Sequence, residues 1–378
     1  MTIPGTAKPG SKQMLRQINK SLLLHLIDRH GPISRVELSR LTKLSPSTVS
    51  SLIEESLGEG YIHETGTAGA GVGRRMTLLD IKADGGYVLG IDLAHSRCVL
   101  LDLRGEVRAK RDLPRLVGRP DIEERLPMLV NGFLDEQRVH PPLLRRIGVS
   151  VPGRIDDTQR RIVGAIPLQL EEMPLGDQLE QLYGVPVRLV NDLEAAGFAE
   201  RYNGVAQGYR TILYVQIDRT VGAGIVIDNQ IYRGTAGQAG RTGALYRYGA
   251  FDLASRLKAA YPDTFPADVP PEETARRFAE LAADEASPLH GELTDVLEGV
   301  ASNCGAMLQL LAPEQMILNG WLTHHPDVFA RLCRLIAHYE RAIKEPTPVR
   351  AAQWAQQGAA IGAATLGLHE ILRPVAID

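Results

Sequence analysis

The sequence predicts a two-part α/β protein: a small helical head closed by a β-hairpin, then a two-lobed body of strands and helices. Three observations predict it. Residues 12–57 carry apolar residues at helical spacing, punctuated by Ser, Gly and Pro where helices start and stop. From Gly86 onward, runs of Val, Ile and Leu alternate with longer helical segments in repeated sets. With 378 residues, 44% hydrophobic and 23% charged, the chain has material for two or three packed domains and lacks the composition of a disordered polypeptide.

A first helix is expected from about Lys12 to Arg29, with Leu15, Ile18, Leu22 and Leu26 along one face and Leu23 and Ile27 widening it. His30-Gly31-Pro32 stops it. Ser34 opens a second helix, and Glu37 completes a capping box. Val36, Leu38 and Leu41 are expected to face inward there, and Lys43 and Leu44 to form the turn. Ser45 caps the third helix, with Pro46 at its first position; Val49, Leu52, Ile53 and Leu57 should be buried. Gly58 and Gly60 end it. Tyr61–Glu64 reads as a strand, Gly66–Gly73 as a tip, and Met76–Leu79 as the return strand.

Three helices and a hairpin in this order describe a winged helix-turn-helix, a DNA-binding module. Lys43, Ser45, Ser47, Thr48, Ser50 and Ser51 would face DNA, small polar residues that allow close approach to base edges and phosphates. Arg74 and Arg75, at the wing base, suit phosphate or minor-groove contacts. A helical adaptor with a polar surface helix is the alternative; the agreement of caps, turn and wing weighs against it. Residues 1–80 carry ten Lys and Arg against seven Asp and Glu, whereas the remainder carries 32 against 38. A basic end on an acidic body suggests different partners for the two, although a solvated leader explains the early lysines equally well.

In the body, Tyr87–Leu93 and Cys98–Leu103 read as paired strands, with a third after Arg104–Val107. A helix over Asp121–Glu136 precedes a strand at Ile147–Val151 that enters Pro152-Gly153. Val187–Val190 is a strand delivering Asn191-Asp192 at its end, followed by a helix to Arg201. Thr211–Ile217 and Gly224–Ile227 form a further pair. Leu293–Leu311 and Ala359–Leu372 read as helices, flanking a buried strand at Gln315–Leu318.

In their order, Gly90-Ile91-Asp92-Leu93, Val151-Pro152-Gly153, Asn191-Asp192-Leu193-Glu194-Ala195-Ala196, Gly222-Ala223-Gly224-Ile225-Val226 and Gly358-Ala359-Ala360-Ile361-Gly362-Ala363-Ala364 resemble the ROK family, which contains sugar-responsive repressors and sugar kinases. The attached winged helix resembles its repressor branch. The resemblance implies an actin-like, two-lobed sugar-kinase fold with a ligand cleft between lobes. The expected domains are 1–80 for the head, 81–190 for the first lobe with the terminal helix 364–378 packing back on it, and 191–363 for the second lobe with a dimerisation surface.

The family's kinases carry a Gly-Gly-Thr phosphate turn where this chain has Ala94-His95-Ser96, and Gly-Thr-Gly where it has Asp218-Arg219-Thr220. Side chains at the first turn block close backbone approach, and a carboxylate at the second repels phosphate by a few kcal/mol. Both departures count against phosphoryl transfer, so no catalytic residue is expected. Asp192 stands at the family's general-base position, where it could bind a hydroxyl or simply cap the following helix. Asn191 could donate to another hydroxyl or merely finish its strand. The family's Glu-x-Gly-His falls on Arg241-Thr242-Gly243-Ala244, which removes both polar sugar contacts and the zinc-binding His; no cysteine cluster follows between Leu245 and Leu257. No zinc and no cofactor are therefore expected. His95, His324 and His325 are expected on loops rather than on a metal.

Gly153, Asn191, Asp192 and Arg241 are the candidate ligand residues, Arg241 suiting a carboxylate or phosphate, or else bridging lobes or facing water. The expected partners are a double-stranded operator, a sugar or acidic sugar-derivative effector, and a second copy in a dimer or dimer of dimers. The absence of a leader or an apolar run near ~18 residues, and three scattered cysteines, lead to a cytoplasmic expectation.

Overall fold

A computed structural model describes residues 12–68, 76–340 and 345–372. The head contains α1 (Lys12–His30), β1 (Ile33–Ser34), α2 (Arg35–Thr42), α3 (Pro46–Gly58), β2 (Ile62–Ala68) and β3 (Met76–Ile81). The Ser34 hydroxyl accepts the Glu37 backbone N–H at 3.3 Å and Glu37 reaches back to the Ser34 N–H at 3.3 Å, so the capping box is formed. Lys43 adopts a left-handed conformation (φ 58°) that turns the chain into Ser45, whose side chain accepts the Thr48 N–H at 3.1 Å. The strands pair antiparallel in the order β1-β3-β2, so the three helices are followed by a hairpin that takes in the short β1. Strand β1 is too short to register in the sequence pattern.

Two packing expectations fail in the head. Helix α1 buries Ser21, Leu23, Leu24 and Ile27, whereas Leu15 is exposed. Its inward stripe is set by α3, β3 and the chain's last helix, which pack on it together. Val36 and Leu41 are 65% and 47% exposed, because the two turns of α2 turn only Leu38 inward.

The first lobe is built from β4 (Tyr87–Asp92), β5 (Arg97–Asp102), β6 (Val107–Asp112), α4 (Leu126–Glu136), β7 (Leu144–Val151), a small sheet of β8 (Arg154–Ile155), β9 (Ile162–Ala165) and β10 (Leu170–Met173), then α5 (Leu175–Tyr183) and β11 (Val187–Asn191). Helix α6 (Asp192–Asn203) leads into the second lobe: β12 (Ile212–Ile217), β13 (Val221–Ile227), β14 (Gln230–Ile231), α7 (Ala250–Ala260), α8 (Pro271–Ala282), α9 (His290–Leu311), β15 (Gln315–Gly320), α10 (Pro326–Glu340) and β16 (Val349–Ala351). Helix α11 (Gly358–Leu372) closes the described chain. A π-helical stretch at Asp121–Arg125 precedes α4 where the sequence suggests one unbroken helix.

The two large sheets share one order. The first runs β6-β5-β4-β7-β11 and the second β14-β13-β12-β15-β16; in each, an antiparallel meander is extended by two parallel strands. Helices α6 and α11 pack together, α6 on β12 and β13 and α11 on β4, β5 and β7. Where α11 crosses the first sheet, a Cβ on Gly90 or Gly148 would come within 2.1 Å of the Ala360 carbonyl or 2.0 Å of the Ala363 carbonyl. Glycine permits that approach.

The head is not separately cored. Leu24, Ile27, Leu52, Ile53 and Ile81 of the head pack in one buried apolar cluster with Val99 and Leu101 of β5 and Ile361, Leu368 and Leu372 of α11. Burying a side chain of this size contributes about 1.5–3 kcal/mol, so the joint is held by core packing rather than by a linker.

Candidate functional site

The head offers a candidate nucleic-acid surface at the start of α3. Lys43, Ser45, Ser47 and Ser51 are exposed and Thr48 and Ser50 half-buried. Ser45 Oγ lies 2.9 Å from Ser47 Oγ and 2.8 Å from Thr48 Oγ1, a hydroxyl cluster at a helix N-terminus that carries no acid in its first turn. The positive end of the helix dipole and these hydroxyls suit a phosphate. The structure adds Arg16 to this face: its guanidinium donates to Ser51 Oγ at 3.2 Å and pairs with Glu55 at 2.6 Å. Sequence spacing gives no sign of that contact between α1 and α3. Arg74 and Arg75 lie outside the described residues.

The second candidate surface is the cleft between lobes. At the end of β4, Asp92 is fully buried and every bond it makes is within its own lobe. Oδ1 accepts the Ala94 N–H at 2.9 Å and the Ser150 hydroxyl at 3.0 Å, and Oδ2 faces His95 Nδ1 at 2.8 Å. His95 thus folds its ring over the turn, with its pKa raised by the Asp92 hydrogen bond. The Ser96 hydroxyl accepts the Leu116 N–H at 3.1 Å. On the facing lobe, burial and the charge of Glu272 raise the pKa of Asp218. Its carboxylate accepts no hydrogen bond from the described residues. The nearby Tyr214 hydroxyl donates to Gln216 at 3.0 Å and accepts from Asn319 at 2.9 Å, a buried network that ends at Thr220.

Asn191, rather than Asp192, caps α6: its side-chain oxygen accepts the N–H groups of Leu193 at 3.0 Å and Glu194 at 3.4 Å. Its amide donates to the Gly153 carbonyl at 3.1 Å, which ties two candidate ligand residues to each other. Asp192 occupies the first helical position, 5% exposed, and its carboxyl is pushed up to about 7 by burial and by the charge of Asp92. Two residues not singled out as ligand candidates lie beside it. Glu194 is buried with a raised pKa, and its carboxylate stands 3.7 Å from Arg233. Neither Glu194 Oε2 nor Arg233 Nε has a hydrogen-bond partner. The Asn191-x-x-Glu194 spacing, that of a capping box, is the signal that Glu194 turns back toward the strand end.

Arg241 is exposed and forms no ion pair among the described residues; it shares with Asn191, Glu194, Gly222 and Tyr246 a cavity of about 30 Å³. A neighbouring cavity of about 20 Å³ lies between His95 and Pro152 of one lobe and Arg219 and Thr220 of the other. Sites for small organic ligands span roughly 300–1,000 Å³, so the lobes would have to part before a sugar entered. His324 meets the Gly320 carbonyl at 3.0 Å. Among the described residues no three His, Cys, Asp or Glu side chains come together in a group able to hold a metal ion, and no helix is long and apolar enough to cross a membrane.

The ROK family model matches residues 88–248. The xylose repressor of Caldicellulosiruptor bescii is 34% identical over 240 residues, which cover 62% of this chain and 60% of that protein's length. Among solved structures, a ROK family transcriptional regulator described as a homologue of the Escherichia coli MLC protein aligns with a TM-score of 0.78 at 20% identity, over 95% of this chain and 98% of the other. A ROK family glucokinase from Streptomyces griseus, in complex with glucose and AMPPNP, aligns with a TM-score of 0.60 at 20% identity, over 74% of this chain and 99% of that one.

Proposed function

The chain carries a ROK family domain, and from that premise we propose that it is a DNA-binding transcriptional repressor of carbohydrate-related genes. The observation that carries this reading is the head: a capped α3 presenting Ser45, Ser47, Thr48 and Ser51, with an acid-free N-terminus and a core continuous with the body. The name of the xylose repressor relative supports it. The active species is a homodimer or dimer of dimers in the cytoplasm, two heads reading a pseudo-palindromic operator. An effector bound between the lobes would act by favouring one lobe spacing over another, which α11 passes to the head through the shared core.

The body acts in binding rather than in phosphoryl transfer. Support for this comes from the first turn, where Asp92 holds the Ala94 N–H and the His95 ring, and from the second, where the Asp218 carboxylate would repel a phosphate. Asp192 is buried and mostly retains its proton below about pH 7. A coupled ATP assay over a sugar panel is expected to show no turnover; turnover above background would make the protein a sugar kinase with an added head. For the ligand, the arginines 188, 233 and 241 around Glu194 favour an acidic sugar derivative over a neutral sugar. Thermal-shift comparison of neutral sugars with their acids and phosphates, with Arg241→Ala as control, tests it. The closed cleft favours one second reading, a ligand-independent DNA-binding dimer; silence toward every sugar compound supports that reading.

The DNA reading is tested by selecting sites from a randomised duplex pool and measuring affinity against salt. A palindromic consensus is expected. Replacing both Arg74 and Arg75 with Ala is expected to lower the log–log salt slope by about 2. No enriched sequence, together with no salt-dependent affinity, would overturn the assignment.

A further inference from the structure

The geometry points to a second small-molecule site, at the joint between the head and the first lobe: a groove that takes a small organic anion bearing carboxylate or phosphate groups. The groove has a volume of about 330 Å³, within the range of small-ligand sites and far larger than either interlobe cavity. Gln17 and Lys20 of α1 and Tyr61 of the head line one wall; Arg145 and Arg146 of β7 and Glu370 of α11 line the other.

Its charge selects the ligand. Arg145 forms no ion pair among the described residues. Its guanidinium donates to two backbone carbonyls, that of Glu59 at 2.7 Å and that of Gly85, and lies 4.7 Å over the Tyr61 ring. Arg146 pairs with Glu370 at 2.8 Å, and Arg188 shares the same carboxylate. Lys20 pairs with Glu55 at 2.9 Å and with Glu59, and Arg16 shares Glu55. The lining residues and their ion-pair partners therefore comprise four cations (Lys20, Arg145, Arg146 and Arg188) against three carboxylates (Glu55, Glu59 and Glu370). The one positive charge in excess, that of Arg145, favours an anion, and Arg145 and Arg146 can give it charge-assisted hydrogen bonds. The apolar side chains of Leu24, Pro186 and Ile371 in the same groove suit a carbon skeleton rather than a bare ion.

Such a ligand would touch α1, β7 and α11 together and so hold the head in one orientation on the body. The groove shares no lining residue with the interlobe cavities. Isothermal titration of the full chain with citrate and with 3-phosphoglycerate, with glycerol as the neutral control and ionic strength held constant, tests it. Saturable one-to-one binding of at least one anion is expected, and none of glycerol. Gln17→Glu, which adds a carboxylate to the wall at an exposed helix position, is expected to weaken binding at least fivefold, as is Arg146→Gln; Arg241→Ala is expected to leave it unchanged. No saturable anion binding, equal affinity in Gln17→Glu and Arg146→Gln, or binding lost in Arg241→Ala alone would overturn the proposal.

Discussion

The two lobes repeat one sheet order, and in each the first hairpin turn carries an aspartate facing the cleft. Asp92 in the first lobe has a hydroxyl and a backbone N–H donating to it and a ring nitrogen against it, all from its own lobe. Asp218 in the second lobe has no such donors among the described residues, and burial raises its pKa. Equivalent positions in a duplicated architecture thus differ in the donors that surround them. Donors, not topology, decide whether a buried carboxylate is a structural anchor or a strained charge. The lobes differ in a second way: among the described residues the head's buried cluster takes in strands β4 and β5 of the first lobe and no strand of the second.

That second difference gives the largest expected effect. Ile361 is fully buried in the shared cluster, and Ile361→Ala is expected to cost about 3–4 kcal/mol. Hydrogen exchange should speed up in α3 of the head as well as in β4 and β5. Exchange confined to the body would mean that the head is stable alone. Next in size is the aspartate pair. Asp92→Ala strands its donors and is expected to cost about 3 kcal/mol in urea unfolding, while Asp218→Ala costs less than about 1 kcal/mol. Equal losses would break the comparison.

A smaller effect reads the cleft by pH. Asp192 keeps its proton to about 7 in the folded chain, but releases it near 4 when unfolded. Between those values the native state binds more protons, so stability falls as pH rises. His95, its pKa raised by Asp92, acts in the same sense: its contribution is complete below about 6.5 and is lost as pH rises through the raised value. The melting temperature is expected to fall by about 3–6 °C from pH 5 to 7.5, and by less than half of that in Asp192→Asn. An unaltered slope in that variant would remove Asp192 from the account. Smallest of all, Arg241→Ala is expected to shift stability by less than about 0.5 kcal/mol, since the side chain is exposed and unpaired among the described residues.

Where local chemistry decides structure, the sequence was readable: Ser34 with Glu37 and Ser45 with Pro46 announce their helices, and the long apolar runs of β4, β7 and β12 announce buried strands. Periodicity says less where a helix has more than one neighbour. Leu15, Val36 and Leu41 repeat at helical spacing, yet they lie outside the arc that tertiary packing covers. Strands β8, β9 and β10 are two to four residues long, too short for alternation to show. At the site, the strand end that delivers Asn191 and Asp192 was legible. The exchange of the cap from Asp192 to Asn191, and the arrival of Arg233 beside Glu194, depend on chain trajectories that no local pattern encodes.

The buried cluster joining α1, α3, β5 and α11 also bears on how such a molecule can be rebuilt or recombined. A head cut away at residue 80 would leave Val99, Leu101, Leu368 and Leu372 as a bare apolar seam on the body, and would carry a matching seam of its own in Leu24 and Ile27. A transplanted head therefore has to arrive with side chains that fit α11, or α11 has to travel with it. Chimeras that exchange head and terminal helix together should remain soluble, whereas those exchanging the head alone should aggregate.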